Sequence, residues 1–249
     1  MAEVAAACGG DPLVLWGAQG MARGVRAWAL GEAVAVACPD LNRRDRLTVC
    51  GEPEQVAALA QWALERVGPS YRVVGSRALV GQVAACSPGL RLLGAFEWMD
   101  THRLSPVLSP VLSAGPGRAR RRARWLDPKE DDEVSALLAA AAPSSWAAPG
   151  VAGVRRWAGV RDEDGVLVAV AADAWSCPQV GFVAGVATAA RRRGAGYGEA
   201  VCRLALGDLL TAHGRVALMV DTANHTALAL YGRLGLRLRP LAAAALDGA

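Results

Sequence analysis

Between residues 180 and 212 the sequence passes from an extended run of Val, Ala and Thr into a helical one through three glycines at alternate positions, Gly194, Gly196 and Gly198. Arg191, Arg192 and Arg193 lead into them. At such a strand-to-helix turn successive backbone N–H groups point into one concavity. The helix N-terminus adds partial positive charge, so the turn suits a pyrophosphate. By itself a Gly-x-Gly pair marks a tight turn and no more. Two other phosphate signatures fail on the same residues. The dinucleotide pattern Gly-x-Gly-x-x-Gly meets Glu199 when started at Gly194 and Val201 when started at Gly196. A P-loop needs a lysine at its end, and the one lysine of the chain is Lys129.

A chain of 249 residues folds as one large domain or two of ordinary size. From Ser105 to Gly117 the sequence repeats Ser-Pro-Val-Leu and then runs through Ala-Gly-Pro-Gly, which is linker chemistry. This predicts a first half over residues 1–104, a linker over 105–122 and a second half over 123–249. Arg118, Arg120, Arg121, Arg122 and Arg124 form a basic run there without an aromatic platform or a nucleic-acid module, so it reads as a solvated linker end. The net charge of +4 favours an anionic ligand without demanding a polyanion. No apolar run spans a bilayer, and Met1-Ala2-Glu3-Val4 lacks the pattern of a secretory signal, which predicts a cytoplasmic protein with no membrane partner. The cysteines are widely spread, and His102, His213 and His225 show no metal spacing, so no metal is expected. Both a monomer and a homodimer stay open.

In the first half, Arg46 to Cys50 and Tyr71 to Gly75 read as strands flanking an amphipathic helix from Glu52 to Val67, and Leu93 to Met99 as a later strand. This half has no glycine turn and no visible chemistry. In the second half, Asp127 to Ala142 reads as a helix with acidic first turns, followed by a loop to Gly150 and a hairpin of Val154 to Val160 and Val166 to Trp175. Then come a strand at Val180 to Thr188, a helix at Gly196 to Ala212, a strand at Val216 to Asp221, a helix at His225 to Leu234 and a strand at Leu236 to Leu241. The tail from Ala242 reads as helix-prone. The class is α/β.

Asn224, Ala227 and Tyr231 are spaced so that they share one helix face. Taken singly, Asn224 is an ordinary N-cap and Tyr231 an ordinary half-buried aromatic. Taken together with the glycine turn upstream and Leu234-Gly235-Leu236 downstream, the order resembles the GNAT superfamily of acyl-CoA-dependent N-acyltransferases. Arg191, Gly194 and Gly196 match its Arg/Gln-x-x-Gly-x-Gly/Ala pattern, and Asn224, a small residue and Tyr231 match its last conserved helix. Ala190 stands where that family commonly has a proline.

The resemblance implies a mixed central sheet flanked by helices over residues 123–249, with the first half a degenerate copy of the same fold, as in glycine N-acyltransferase-like members. It implies acetyl-CoA as donor co-substrate. The main chain of Val186, Ala187 and Thr188 would bond the pantetheine amides, and the amides of Arg191, Arg192, Arg193, Gly194, Ala195, Gly196, Tyr197 and Gly198 would hold the pyrophosphate. The three arginine side chains would assist a CoA phosphate. Asn224 and Ala227 would line the pantetheine arm, and Tyr231 would be catalytic, protonating the leaving thiolate. The acceptor would be an amine of a small molecule or peptide, acetylated by direct transfer.

One element of that chemistry is missing. Val180 to Thr188 contains no Glu or Asp to act as base. This favours either a base from elsewhere (Asp173, the first half or a water chain) or, as the alternative, a non-catalytic acyl-CoA-binding or regulatory protein. Asp173 itself reads best as a solvent-facing strand residue. Trp146 lies where the family shapes its acceptor pocket and equally suits plain packing, while His213 suits a helix C-terminus.

Overall fold

The computed structural model describes residues 1–106 and 122–248; of the arginine run, Arg118, Arg120 and Arg121 lie outside them. The first half contains α1 (Ala2–Ala7), α2 (Pro12–Ala18), β1 (Arg26–Leu30), β2 (Ala33–Cys38), β3 (Arg46–Cys50), α3 (Pro53–Val67), β4 (Arg72–Ser76), α4 (Arg77–Cys86) and β5 (Leu90–Thr101). The second contains β6 (Arg124–Trp125), α5 (Asp131–Ala141), β7 (Val154–Arg161), β8 (Leu167–Ala174), β9 (Gly181–Thr188), α6 (Tyr197–His213), β10 (Val216–Val220), α7 (His225–Arg233) and β11 (Arg237–Leu246).

Apart from α1 and β6, the halves follow one order. A helix precedes three antiparallel strands, β1 to β3 or β7 to β9. Next come a helix, a strand parallel to the third (β4 or β10), another helix and a final antiparallel strand, β5 or β11. The first half thus repeats the topology of the second, as its strand-helix-strand reading suggested.

All the described strands form one sheet in the order β1-β2-β3-β4-β11-β5-β10-β9-β8-β7-β6. Each half has lodged its last strand in the other. β11 pairs with β4 as well as β5, and β5 pairs with β10 as well as β11. Exchanging equivalent strands, β6 aside, turns the order into its own reverse, so a pseudo-two-fold axis passes between β5 and β11. The pairings also fix direction: β3 and β4 run antiparallel to β9 and β10. The N-terminal ends of β3 and β4 therefore share a sheet edge with the C-terminal ends of β9 and β10.

One face of the sheet carries a single core built from both halves. It holds α2, α5 and a cluster in which Trp16 stacks on Phe182 at 4.7 Å and meets Trp98 edge-on at 5.7 Å. The Trp16 indole N–H donates to the Trp175 carbonyl at 2.9 Å, tying α2 to the second half. On the opposite face α6 and α7 cover the second half, while α3 and α4 cover the first. Among the described residues no helix is long and apolar enough to cross a membrane.

Three differences from the sequence reading have physical causes. β2 is buried along its whole length, so Ala33 to Cys38 shows no in-out alternation to betray a strand. α4 starts at Arg77, directly after β4 ends at Ser76, whose hydroxyl accepts the Leu79 amide at 3.3 Å; with no loop residues between them, nothing announces the helix. The tail from Ala242 to Leu246 is strand, not helix. It is hydrogen-bonded on both sides, to β4 and β5, and this two-sided ladder outweighs the helix preference of alanine.

Candidate active site

The site begins with a split in the sheet. β9 and β10 pair in parallel only at Gly181 with Val216 and Phe182 with Ala217, after which they diverge. The cause lies on the other side of β9, where the register against β8 shifts between Ala184 and Ala187. Gly185 sits in this bulge at φ +60, and a Cβ there would lie 2.6 Å from the Trp157 ring. Only glycine permits both the conformation and the approach, and a bulge of this kind bends the strand away from its neighbour. Beyond Phe182 the main chain of β9 therefore has no ladder partner on β10. Unpaired strand groups inside a sheet need water or a ligand. Beneath the bulge, the Trp157 indole N–H is buried without an acceptor.

At the open end of this wedge β9 leads into the glycine turn. A short 3-10 turn over Ala190–Arg192 comes first, and it occupies two amides that the sequence reading had assigned to the pyrophosphate: Arg192 N–H donates to Ala189 O at 2.8 Å and Arg193 N–H to Ala190 O at 3.3 Å. Gly194 (φ +75) and Gly196 (φ +84) then adopt left-handed conformations, and a Cβ on Gly194 would stand in open space. Gly196 is the N-cap of α6, and no side chain caps that helix. Gly198 lies against β9, where a Cβ would approach the Thr188 hydroxyl to 2.9 Å.

An acidic turn that the sequence reading took for a plain hairpin connection braces this loop. Arg192 donates twice to Asp162, at 2.8 and 3.1 Å, and lies 3.6 Å from Glu163 and from Asp164. The Tyr197 hydroxyl donates to Glu163 at 3.1 Å. Arg192 is thus engaged as a strut of the loop. Arg193 donates to the carbonyls of Thr188 and Ala141 at 3.3 Å each, while Arg191 is exposed.

α7 follows β10 as α6 follows β9, so the two helix starts flank the same mouth. Asn224 caps α7, its side-chain oxygen accepting the Ala227 amide at 3.1 Å. Tyr231 is 5% exposed and packs in one core with Tyr197, Val183 and Cys202, with Val186, Ala195 and Ala227 at its rim. The structure therefore gathers residues from both sequence motifs. Burial raises the Tyr231 phenol well above its ordinary range, with Cys202 adding to the effect, so it stays protonated as a proton donor must.

Other candidates fare differently. Asp173 is not solvent-facing: it is 4% exposed, accepts the Ser176 hydroxyl at 2.7 Å and lies 3.4 Å from Arg156 Nε. Its buried carboxylate pairs with the exposed guanidinium of Arg156 on β7. His213 ends α6, 3.4 Å from the Pro178 carbonyl. Glu97 on β5, which nothing in the sequence marks out, is buried opposite Val220, with one oxygen taken by Arg77 at 2.9 Å and the other without a partner. Trp146 is 41% exposed, and the guanidinium groups of Arg44 and Arg46 lie over its ring at 5.3 and 5.8 Å. Among the described residues no three metal-capable side chains converge.

Comparisons with known proteins bear on the fold that carries this site. No curated protein matches the chain significantly. A GCN5-related N-acetyltransferase from Kribbella flavida superposes with a TM-score of 0.60 at 19% identity over 93% of each chain. A GCN5-related N-acetyltransferase-like protein from Streptococcus suis superposes with a TM-score of 0.56 at 12% identity, over 98% of this chain and 97% of that one. A GNAT-family protein from Novosphingobium aromaticivorans gives a TM-score of 0.52 at 22% identity, over 94% and 95%. At such identities the likeness is one of fold, and it spans both halves. The family model of GNAT acetyltransferases matches residues 122–236, the stretch that holds the wedge, the glycine turn and Tyr231. It is through these residues that the chain resembles the GNAT acetyltransferase family.

Proposed function

We propose that the protein transfers an acetyl group from acetyl-CoA to an amine by direct attack. The observation that carries this reading is the wedge between β9 and β10, opening onto a helix start capped by glycine rather than by a side chain. The pieces fit the donor. The main chain of Val186, Ala187 and Thr188, which has no ladder partner on β10, bonds the amides of the pantetheine arm, and the N–H groups after Arg193, up to Gly198, receive the pyrophosphate at the positive end of α6.

When bound, acetyl-CoA supplies an acetyl group activated as a thioester. The chain holds that carbonyl where N–H groups beside Val186 and Ala187 stabilise charge on its oxygen as the amine attacks. A C–N bond forms, the C–S bond breaks, and Tyr231 delivers a proton to the departing sulfur. The proton lost by the nitrogen leaves through water, and the Tyr231 phenolate regains one from the same source. Asn224, already fixed as the cap of α7, steadies the arm. The acceptor enters from the face that carries α2 and α5, past Trp146.

Thiol release with a panel of amines tests the reading. Amine-dependent release of CoA is expected. Stabilisation by acetyl-CoA with no release for any amine would instead identify a binding or regulatory protein.

A further inference from the structure

The first half contributes an uncompensated positive charge to the acceptor side. Arg46, at the start of β3, is 4% exposed. Its Nε donates to the Leu41 carbonyl at 2.9 Å, but its two terminal nitrogens have no hydrogen-bond partner, and it takes part in no ion pair among the described residues. Its guanidinium is held between two indoles, 5.8 Å from the Trp16 ring and 5.8 Å from the Trp146 ring. The charges that bear on it most are of the same sign. Burial, with Arg72 and Arg44 adding to it, draws the Arg46 group down to about 10. Arg72 is its direct neighbour across the β3–β4 pairing, and Arg44 lies over Trp146; among the described residues neither is in an ion pair. A buried guanidinium surrounded by further guanidiniums is costly unless an anion answers it.

The position of the cluster matters as much as its charge. Arg46 and Arg72 stand at the N-terminal ends of β3 and β4, the sheet edge onto which the β9–β10 wedge opens. They lie on the face of α2 and α5, opposite α6. Trp16 links Arg46 to Phe182, where the wedge begins, through one contact of 5.8 Å and one of 4.7 Å in series. The loop before Arg46 carries further marks of a built site. Asp40, Asn42 and Arg43 all adopt positive φ, at 49°, 52° and 56°, and Asn42 Oδ1 is buried without a donor.

We propose that the acceptor amine carries a carboxylate, bound in a fork by the terminal nitrogens of Arg46, with Arg44 and Arg72 supplying field and Trp146 flanking the acceptor's body. The planar guanidinium, with two parallel N–H donors free, matches a carboxylate. This rests on the acyltransferase reading and names its substrate class.

Two measurements on the full chain separate the two ideas. The first uses thermal shift and calorimetry with amine-free probes, benzoate and hexanoate against benzamide and hexanamide. The carboxylates are expected to bind and stabilise, the amides not, and Arg46→Met to abolish the difference. Arg44→Gln, at an exposed position, weakens it a few-fold and serves if Arg46→Met does not fold. The second compares kcat/KM for aromatic and aliphatic amino acids with that for their amides. The acid is preferred by roughly 30-fold or more, the scale of truncating one partner of a buried charge pair, and Arg46→Met removes the preference without weakening acetyl-CoA binding. Carboxylate binding without any CoA release would refute acyl transfer and keep the anion site. Amides bound or acetylated as well as acids, carboxylates failing to bind, or Arg46→Met lowering acetyl-CoA affinity instead, would overturn the proposal.

Discussion

The two halves build the same wedge and finish it in opposite ways. In the first half β3 and β4 pair from Arg46 to Thr48 and then part, as β9 and β10 part after Phe182, and the gap holds a cavity of about 290 Å³ lined by Val49, Cys50, Ser76 and Leu79. The helix that follows is where they differ. α3 starts with Pro53, which has no N–H, and Glu52 caps it, accepting the amides of Glu54 at 3.2 Å and Gln55 at 3.0 Å. A carboxylate thus occupies the place where the second half has a helix start that no side chain caps. Gly51 leaves no space either, since a Cβ there would lie 2.3 Å from the Glu32 carbonyl. On the proposed reading one fold therefore yields one donor site, and the other copy is closed by Glu52 together with the tight backbone at Gly51. The role proposed for the first half lies at the edge it turns toward its neighbour, with Arg46 and Trp16.

The comparison can be broken most severely at Gly196. Gly196→Asp places on α6 the kind of cap that Glu52 places on α3, in a left-handed conformation that aspartate tolerates. Acetyl-CoA affinity is expected to fall by about 100-fold or more, equivalent to ~2.7 kcal/mol, with the melting temperature lowered modestly by the strain of a side chain at positive φ. Undiminished affinity in a titration would remove the pyrophosphate from this turn. Next in size is Tyr231→Phe. Turnover should drop by about 100-fold, the usual scale for a positioned proton donor, with acetyl-CoA affinity changed less than about 3-fold. Equal loss in both would make Tyr231 a packing residue.

Arg192→Ala probes the brace. Because its guanidinium is bound to Asp162, its removal should loosen the loop and weaken acetyl-CoA binding by only about 3- to 10-fold, a cost on the scale of one ordinary hydrogen bond. A much larger loss, with steep salt dependence, would show a direct phosphate contact. The smallest effect belongs to Glu52→Ala. It should cost about 1 kcal/mol of stability in denaturant unfolding, the cost of a lost cap, and create no second acetyl-CoA site. Appearance of a second site would mean that Glu52 alone seals the first wedge.

Much of the second half was legible in the sequence because its motifs are written in backbone geometry. Gly194 and Gly196 are needed for positive φ, Asn224 for a cap, and residues tied to backbone conformation leave fixed spacings. The acidic turn Asp162 to Asp164 was not legible, since its partner Arg192 lies in a different element and only the fold joins them. Arg46 was hidden for the same reason: an arginine at a strand start looks exposed until Trp16 and Trp146, distant in sequence, close over it. The exchange of β5 and β11 was invisible too. Nothing local in Ala242 to Leu246 records that two strands wait on either side.

The central claim, one donor site formed by the second half alone, is tested most directly by calorimetric titration of acetyl-CoA into the whole chain. The account predicts one equivalent bound per chain, and none in Gly196→Asp. Two equivalents per chain, or one retained in Gly196→Asp, would contradict it.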